Sequence, residues 1–170
     1  DAGSYEDLEG HAEEHRYVSP RSGPEPLLLR AGSRAEELDL AAQLLRGWLM
    51  EDIEQREAGA ETIAVLVRDR YQRAAVVTGL AERGVDVRPV DRDAMGRGRP
   101  VVMTMHRAKG LEFTHVLLLD VNTLLAPRRR YREPLDKTAL ADWRLRERSL
   151  LYVAATRARD VLAVMPAAAR

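Results

Sequence analysis

The sequence predicts an α/β protein built on an open, mostly parallel sheet with helices on both faces. Three observations carry this. Segments of strand and helix character alternate along the chain. The strand segments are apolar throughout, as in strands covered on both sides. Helix starts and stops are marked by capping residues such as the Ser33–Glu36 pair and Gly84.

In order, residues 1–26 read as an irregular lead-in, polar and broken by Pro20, Pro24 and Pro26. His11 and His15 stand four apart there. Ala12 occupies the place where the zinc-protease pattern needs Glu, and no third ligand is evident, so a solvated segment is preferred to a metal site. Leu27-Leu28-Leu29 is a short apolar run that reads as a buried strand. Ser33 and Glu36 form an S-x-x-E capping box. Leu38, Ala41, Ala42, Leu45, Trp48 and Leu49 follow at helical spacing, predicting a helix over about 34–56. Ile63 to Val67 is a continuous aliphatic run, a strand buried on both faces. Residues 70–83 read as a helix with Ala74, Val77, Leu80 and Ala81 inward and Gly84 as its stop. Val85, Val87 and Val90 suggest a further strand, and 91–100 a polar loop. Strands are expected at 101–105, 116–121 and 161–165, with an arginine-rich stretch at 126–134 and a helix over 135–156. The domain therefore spans 27–166, with 167–170 as a tail.

The 170 residues balance 27 Lys+Arg against 27 Asp+Glu. A content of 45% hydrophobic and 32% charged residues suits a globular chain. No apolar run approaches the roughly 20 residues of a membrane span, and the acidic N-terminus is unlike a signal peptide. Without cysteine there is no disulfide scaffold, thiolate metal site or thiol catalysis; a reducing, cytoplasmic setting is the expectation. The neutral total is segregated: residues 1–60 hold 14 acidic and 6 basic side chains, and 61–170 hold 13 and 21. A basic half points to a polyanionic partner such as nucleic acid or nucleotide, or to an ordinary solvated surface. Lys109 and Lys137 are the two lysines among 25 arginines. A lysine kept against that background suggests a need for a compact ammonium.

In open parallel sheets ligands bind at the carboxyl ends of the strands. That directs attention to 68–73, 105–112 and 154–159. Residues 104–113 crowd Thr104, His106, Arg107, Lys109 and Glu112 into one connection, with Gly110 permitting a sharp backbone path. Cations and hydroxyls there can contact phosphates, and a carboxylate can accept from sugar hydroxyls; a decorated surface turn is the alternative. In 147–159, Arg157 and Arg159 emerge near the end of a helix. Either could meet a phosphate bidentately, or interact with the helix C-terminus.

The segment TMHRAKGLEF (104–113) resembles motif V of the UvrD/Rep/PcrA helicases of superfamily 1A, and RERSLLYVAATRAR (146–159) resembles their motif VI, in the same order and spacing. Residues 61–90 resemble the strand-helix-strand that carries motif IVa. The resemblance covers about 61–165 well and 27–60 more loosely. It implies domain 2A, a three-layer RecA-like (P-loop NTPase-like) motor domain. It further implies that Arg157 reaches the γ-phosphate of ATP as an arginine finger, that Glu112 lies near the nucleotide sugar, and that Lys109 and Gly110 belong to the ATP-binding segment. Thr104, His106 and Arg107, with Arg68 and Arg70 of motif IVa, would meet single-stranded DNA, positioning it without reading its sequence.

Some features depart from the family pattern. Asp69 and Arg70 stand where motif IVa usually has Thr and Asn, and Asp69 would repel a phosphate. Where the best-known members insert a large 2B domain only the loop near 91–100 is available, so this is either a compact member or one from which the insertion was removed, and the motif IV arginine has no match within 1–26. No G-x-x-x-x-G-K-[ST] occurs, and Asp120 ends a strand without a neighbouring glutamate. The resemblance thus implies a C-terminal half of a 3′-to-5′ DNA helicase. ATP and Mg2+ would be held mainly by an N-terminal RecA-like domain of the same protein, and this half alone would not hydrolyse ATP. A helicase-derived DNA or protein interaction module without motor activity is the alternative. Residues 104–113 and 147–159 are expected to converge at one rim of a single sheet, as half of a cleft in which Glu112 and Arg157 share one nucleotide.

Overall fold

The computed structural model describes residues 23–55, 59–91, 96–121 and 136–166. The expectations for His11 and His15, for the stretch 126–134 and for the tail 167–170 lie outside the described residues.

Six strands form one sheet in the order β1-β6-β5-β2-β4-β3, and every pair is parallel. The strands are β1 (Leu27–Leu28), β2 (Ile63–Val67), β3 (Arg88–Pro89), β4 (Val101–Thr104), β5 (Phe113–Leu118) and β6 (Ala158–Val164). Helices α1 (Arg34–Gln55) and α2 (Arg70–Ala81) and α3 (Lys137–Ala155) complete the described elements, with a short 3-10 turn over Ala60–Thr62. Alternate residues of β2 divide the core. Ile63, Val65 and Val67 pack with Leu38, Leu45, Trp48, Val76 and Leu80 of α1 and α2. Ala64 and Leu66 pack with Met103, Phe113, Val116 and Ala154, the last from α3. The expected layering is therefore present: helices on both faces of a parallel sheet. β2 lies at its centre between β4 and β5, all five of its residues buried.

The caps explain the helix starts. Ser33 Oγ accepts from Glu36 N at 3.1 Å, and the Glu36 carboxylate accepts from Gly32 N at 2.7 Å, so the return arm of the box reaches one residue further back than usual. Asp69 accepts from Tyr71 N and Gln72 N at the start of α2. Asp136 accepts from Ala139 N at the start of α3. Gly84, at φ +72°, ends the α2 turn with its N–H on Ala81 O.

Five expectations are corrected. In α2, Ala74 and Ala81 are exposed rather than inward, and Val76, Gly79 and Leu80 are the buried positions. β1 is exposed rather than buried (Leu27 43%, Leu28 70%), because it is an edge strand paired with β6 alone. The strand foreseen around Val85, Val87 and Val90 shrinks to Arg88–Pro89, although all three valines are buried. Pro89 has no N–H to give the ladder, which suits the opposite sheet edge. β5 starts at Phe113, three residues earlier than foreseen, and β6 at Ala158, also three earlier.

Candidate functional site

Strand direction gives the sheet two rims, and the residues singled out from sequence divide between them. β4 ends at Thr104 on the carboxyl rim, whereas β5 begins at Phe113 on the amino rim. Residues 105–112 therefore run from one rim to the other. Likewise 154–157 precedes β6 and 158–159 open it, so this segment lies at the amino rim, not at a strand's carboxyl end as foreseen. The two segments meet at 111–113 and 157–158, and not over their whole length.

At the amino rim, Phe113 N donates to Arg157 O at 2.9 Å, and Phe113 pairs with Ala158 in the ladder. Glu112 and Arg157 are thereby brought side by side. The Arg157 guanidinium donates to Val153 O (3.0 Å) and Leu111 O (3.2 Å), and Nη2 lies 3.2 Å from Thr156 Oγ1. It closes the carbonyl-rich end of α3, as a cation near a helix C-terminus does. Glu112 and Lys109 are exposed, and among the described residues neither side chain makes a hydrogen bond or ion pair. Gly110 has φ +82° with open space around a would-be Cβ. Its requirement is conformational, which is the sharp backbone path. Arg159 sits on β6, where its guanidinium chelates Asp160 at 2.8–3.2 Å. Those bonds hold the Asp160 carboxyl below its ordinary range.

At the carboxyl rim, Thr104 pairs with Val67, so the turns that leave β2 and β4 adjoin. Thr104 Oγ1 accepts from Arg107 N at 3.3 Å. His106 is exposed. Arg107 Nε donates to Asp91 O at 2.7 Å, and Arg73 reaches Val90 O at 2.9 Å and the Asp91 carboxylate at 3.4 Å. The first turn of α2 and the 105–107 turn are thus tied to the same short segment. Arg70 is exposed; its guanidinium lies 5.0 Å from the Tyr71 ring centroid and 3.0 Å from the Tyr71 hydroxyl. The hydroxyl hydrogen bond raises the Arg70 pKa further above its ordinary value. Arg68 behaves differently. It turns inward, its side chain 13% exposed, toward Glu147 and the Trp143 ring of α3.

Several residues that organise the carboxyl rim were not foreseen. Gln72 receives Arg68 N at 2.9 Å and donates to the Asp120 carboxylate. Asp120 has φ +56°, uncommon for a residue with a Cβ. Its N–H is received at 3.1 Å by Glu37, a carboxylate only 1% exposed that also pairs with Arg34. The D-x-x-Q spacing of Asp69 and Gln72 was a readable cap signal. It gives the departure at Asp69 a local reason: the carboxylate is committed to α2. Nothing in the sequence marked Glu37, since its partner lies 83 positions away.

Among the described residues, no group of three or more His, Asp or Glu gathers to hold a metal, and no helix is long and apolar enough to cross a membrane.

Residues 98–168 match the profile of the UvrD-like helicase C-terminal domain. A solved structure described as the C-terminal domain of a possible DNA helicase from Lactobacillus strain WCFS1 resembles the chain with a TM-score of 0.60. It is 23% identical, over 86% of this chain and 76% of that one. At that identity the likeness speaks for the fold. Among curated proteins none matches the chain significantly.

Proposed function

We propose, from the match of residues 98–168 to the UvrD-like helicase C-terminal domain, that this chain is the second motor domain of an ATP-dependent DNA helicase working 3′ to 5′. In this reading ATP lies between the amino rim and an N-terminal RecA-like domain of the same protein, which holds the phosphates and Mg2+. Single-stranded DNA runs over the carboxyl rim. The observation that carries it is the placement of Glu112 beside Arg157 by the Phe113–Arg157 backbone bond. One nucleotide can meet both: the carboxylate at its sugar hydroxyls and the guanidinium at its γ-phosphate.

The chain's own residues supply positioning and charge. Arg157 leaves the carbonyls of Val153 and Leu111 and presents its planar fork to the γ-phosphate, where negative charge develops on transfer. Lys109 and Gly110 shape the segment that carries Glu112 to the rim. Thr104, His106, Arg107 and Arg70 hold the strand by its backbone and bases. The supply of both donors and cations from two neighbouring turns suits sequence-independent contact.

Sugar-analogue kinetics test the nucleotide side. In the complete helicase, Glu112→Ala should raise KM for ATP but leave KM for 2′,3′-dideoxy-ATP unchanged, because the analogue lacks the hydroxyls that Glu112 accepts from. An equal effect on both nucleotides removes Glu112 from the sugar.

A further inference from the structure

Arg68 leaves β2 at the carboxyl rim, one residue before the cap of α2, yet its side chain points away from the rim surface. Its guanidinium carbon is 5.8 Å from the Trp143 ring centroid, and Nη2 is 3.8 Å from Glu147 Oε2, with both charged side chains largely buried. Trp143 and Glu147 are four apart on α3, hence on one helix face. Eight residues further on α3 ends, about 12 Å away at 1.5 Å per residue, and Arg157 follows.

The pair is incompletely closed. A charge-assisted N–O contact normally measures about 2.7–2.9 Å, and here Glu147 Oε2 is buried without a hydrogen-bond partner. A buried carboxylate oxygen lacking a donor is unfavourable, so a small shift of Arg68 or of α3 that shortens the gap is favourable. The Arg68 backbone is in turn fixed to the start of α2, because its N–H is received by Gln72. Movement of the β2–α2 turn is therefore movement of Arg68.

We infer that Arg68, Trp143 and Glu147 form a clasp through which a strand bound at the carboxyl rim sets the position of α3, and with it Arg157 at the other rim. Arg68 is then a positioning residue and does not touch DNA itself. The inference rests on the single-stranded DNA reading given above.

Tryptophan emission offers a readout that a purely structural role would not move. The full chain is titrated with a labelled oligothymidylate, anisotropy reporting strand binding and emission reporting α3. Emission should change with the same midpoint as anisotropy, and Trp143→Phe should abolish the change, since Trp48 packs in the core on the opposite face. Glu147→Gln and the conservative Arg68→Lys should retain strand affinity and lose most of the emission change. Strand binding with Trp143 emission unaltered, or a change that survives both substitutions, overturns the clasp while leaving the DNA reading intact. Loss of strand affinity in Arg68→Lys makes Arg68 a direct contact and also overturns it. Failure of the unmodified chain to bind the strand brings down both.

Discussion

Asp120 shows how a single backbone angle can carry a network. At φ +56° it occupies the left-handed region, where most side chains crowd the following carbonyl. Asp and Asn tolerate it best after glycine, and here the carboxylate gains Gln72 while the freed N–H meets Glu37. Asp120→Asn should therefore keep nearly full stability. Asp120→Val, which cannot relax into that conformation, should lose about 1–2 kcal/mol, with the difference read from urea unfolding midpoints. Equal stability of the two variants would mean that the turn rearranges freely. Arg157 illustrates the same economy in the opposite sense. Its hydrogen bonds to Val153 and Leu111 fit the helix-end alternative, and they hold the guanidinium on the carbonyl of the residue before Glu112.

At the scale of elements, the strands and helices were legible wherever burial was two-sided. The five-residue run of β2 and the α1 stripe through Leu38, Ala41, Ala42, Leu45 and Trp48 were read directly, because parallel strands and core-facing helix stripes leave no polar residue at those positions. What failed were boundaries where polar residues sit inside a strand. Thr114 and His115 concealed the start of β5. Thr114 is buried with its hydroxyl bonded to Thr62 O, and the His115 ring lies 4.9 Å from Trp48. Arg159 and Asp160 concealed the start of β6, whose amino half has β5 as its neighbour while β1 pairs only with Ala163 and Val164. β1 misled in the reverse direction, being apolar yet exposed. Leu45→Ala should accordingly cost about 2–5 kcal/mol in thermal or chemical unfolding, as a full cavity in the α1–sheet layer, while Leu28→Ala should stay within about 0.5 kcal/mol. A large loss at Leu28 would show that the β1 edge is covered in solution.

Across the whole molecule, the parallel sheet separates the motif residues into two groups. Thr104, His106, Arg107 and Arg70 gather where β2 and β4 end, and Glu112 and Arg157 where β5 and β6 begin. The motifs were readable from sequence; their distribution over opposite rims was not, because a connection of eight residues gives no sign that it crosses the sheet. If the carboxyl rim holds a strand through phosphates, its affinity should fall with salt at about 0.7 logarithmic units per contact for each tenfold rise in concentration. Arg70→Ala should lower that slope, and salt-independent binding would contradict a backbone interaction. The amino rim allows the most direct measurement, steady-state ATP hydrolysis by the complete helicase carrying Arg157→Ala, with strand affinity measured alongside. Hydrolysis should drop by roughly 10³-fold or more while the strand stays bound; turnover close to that of the unmodified enzyme would contradict the assignment of this domain as half of an ATP site.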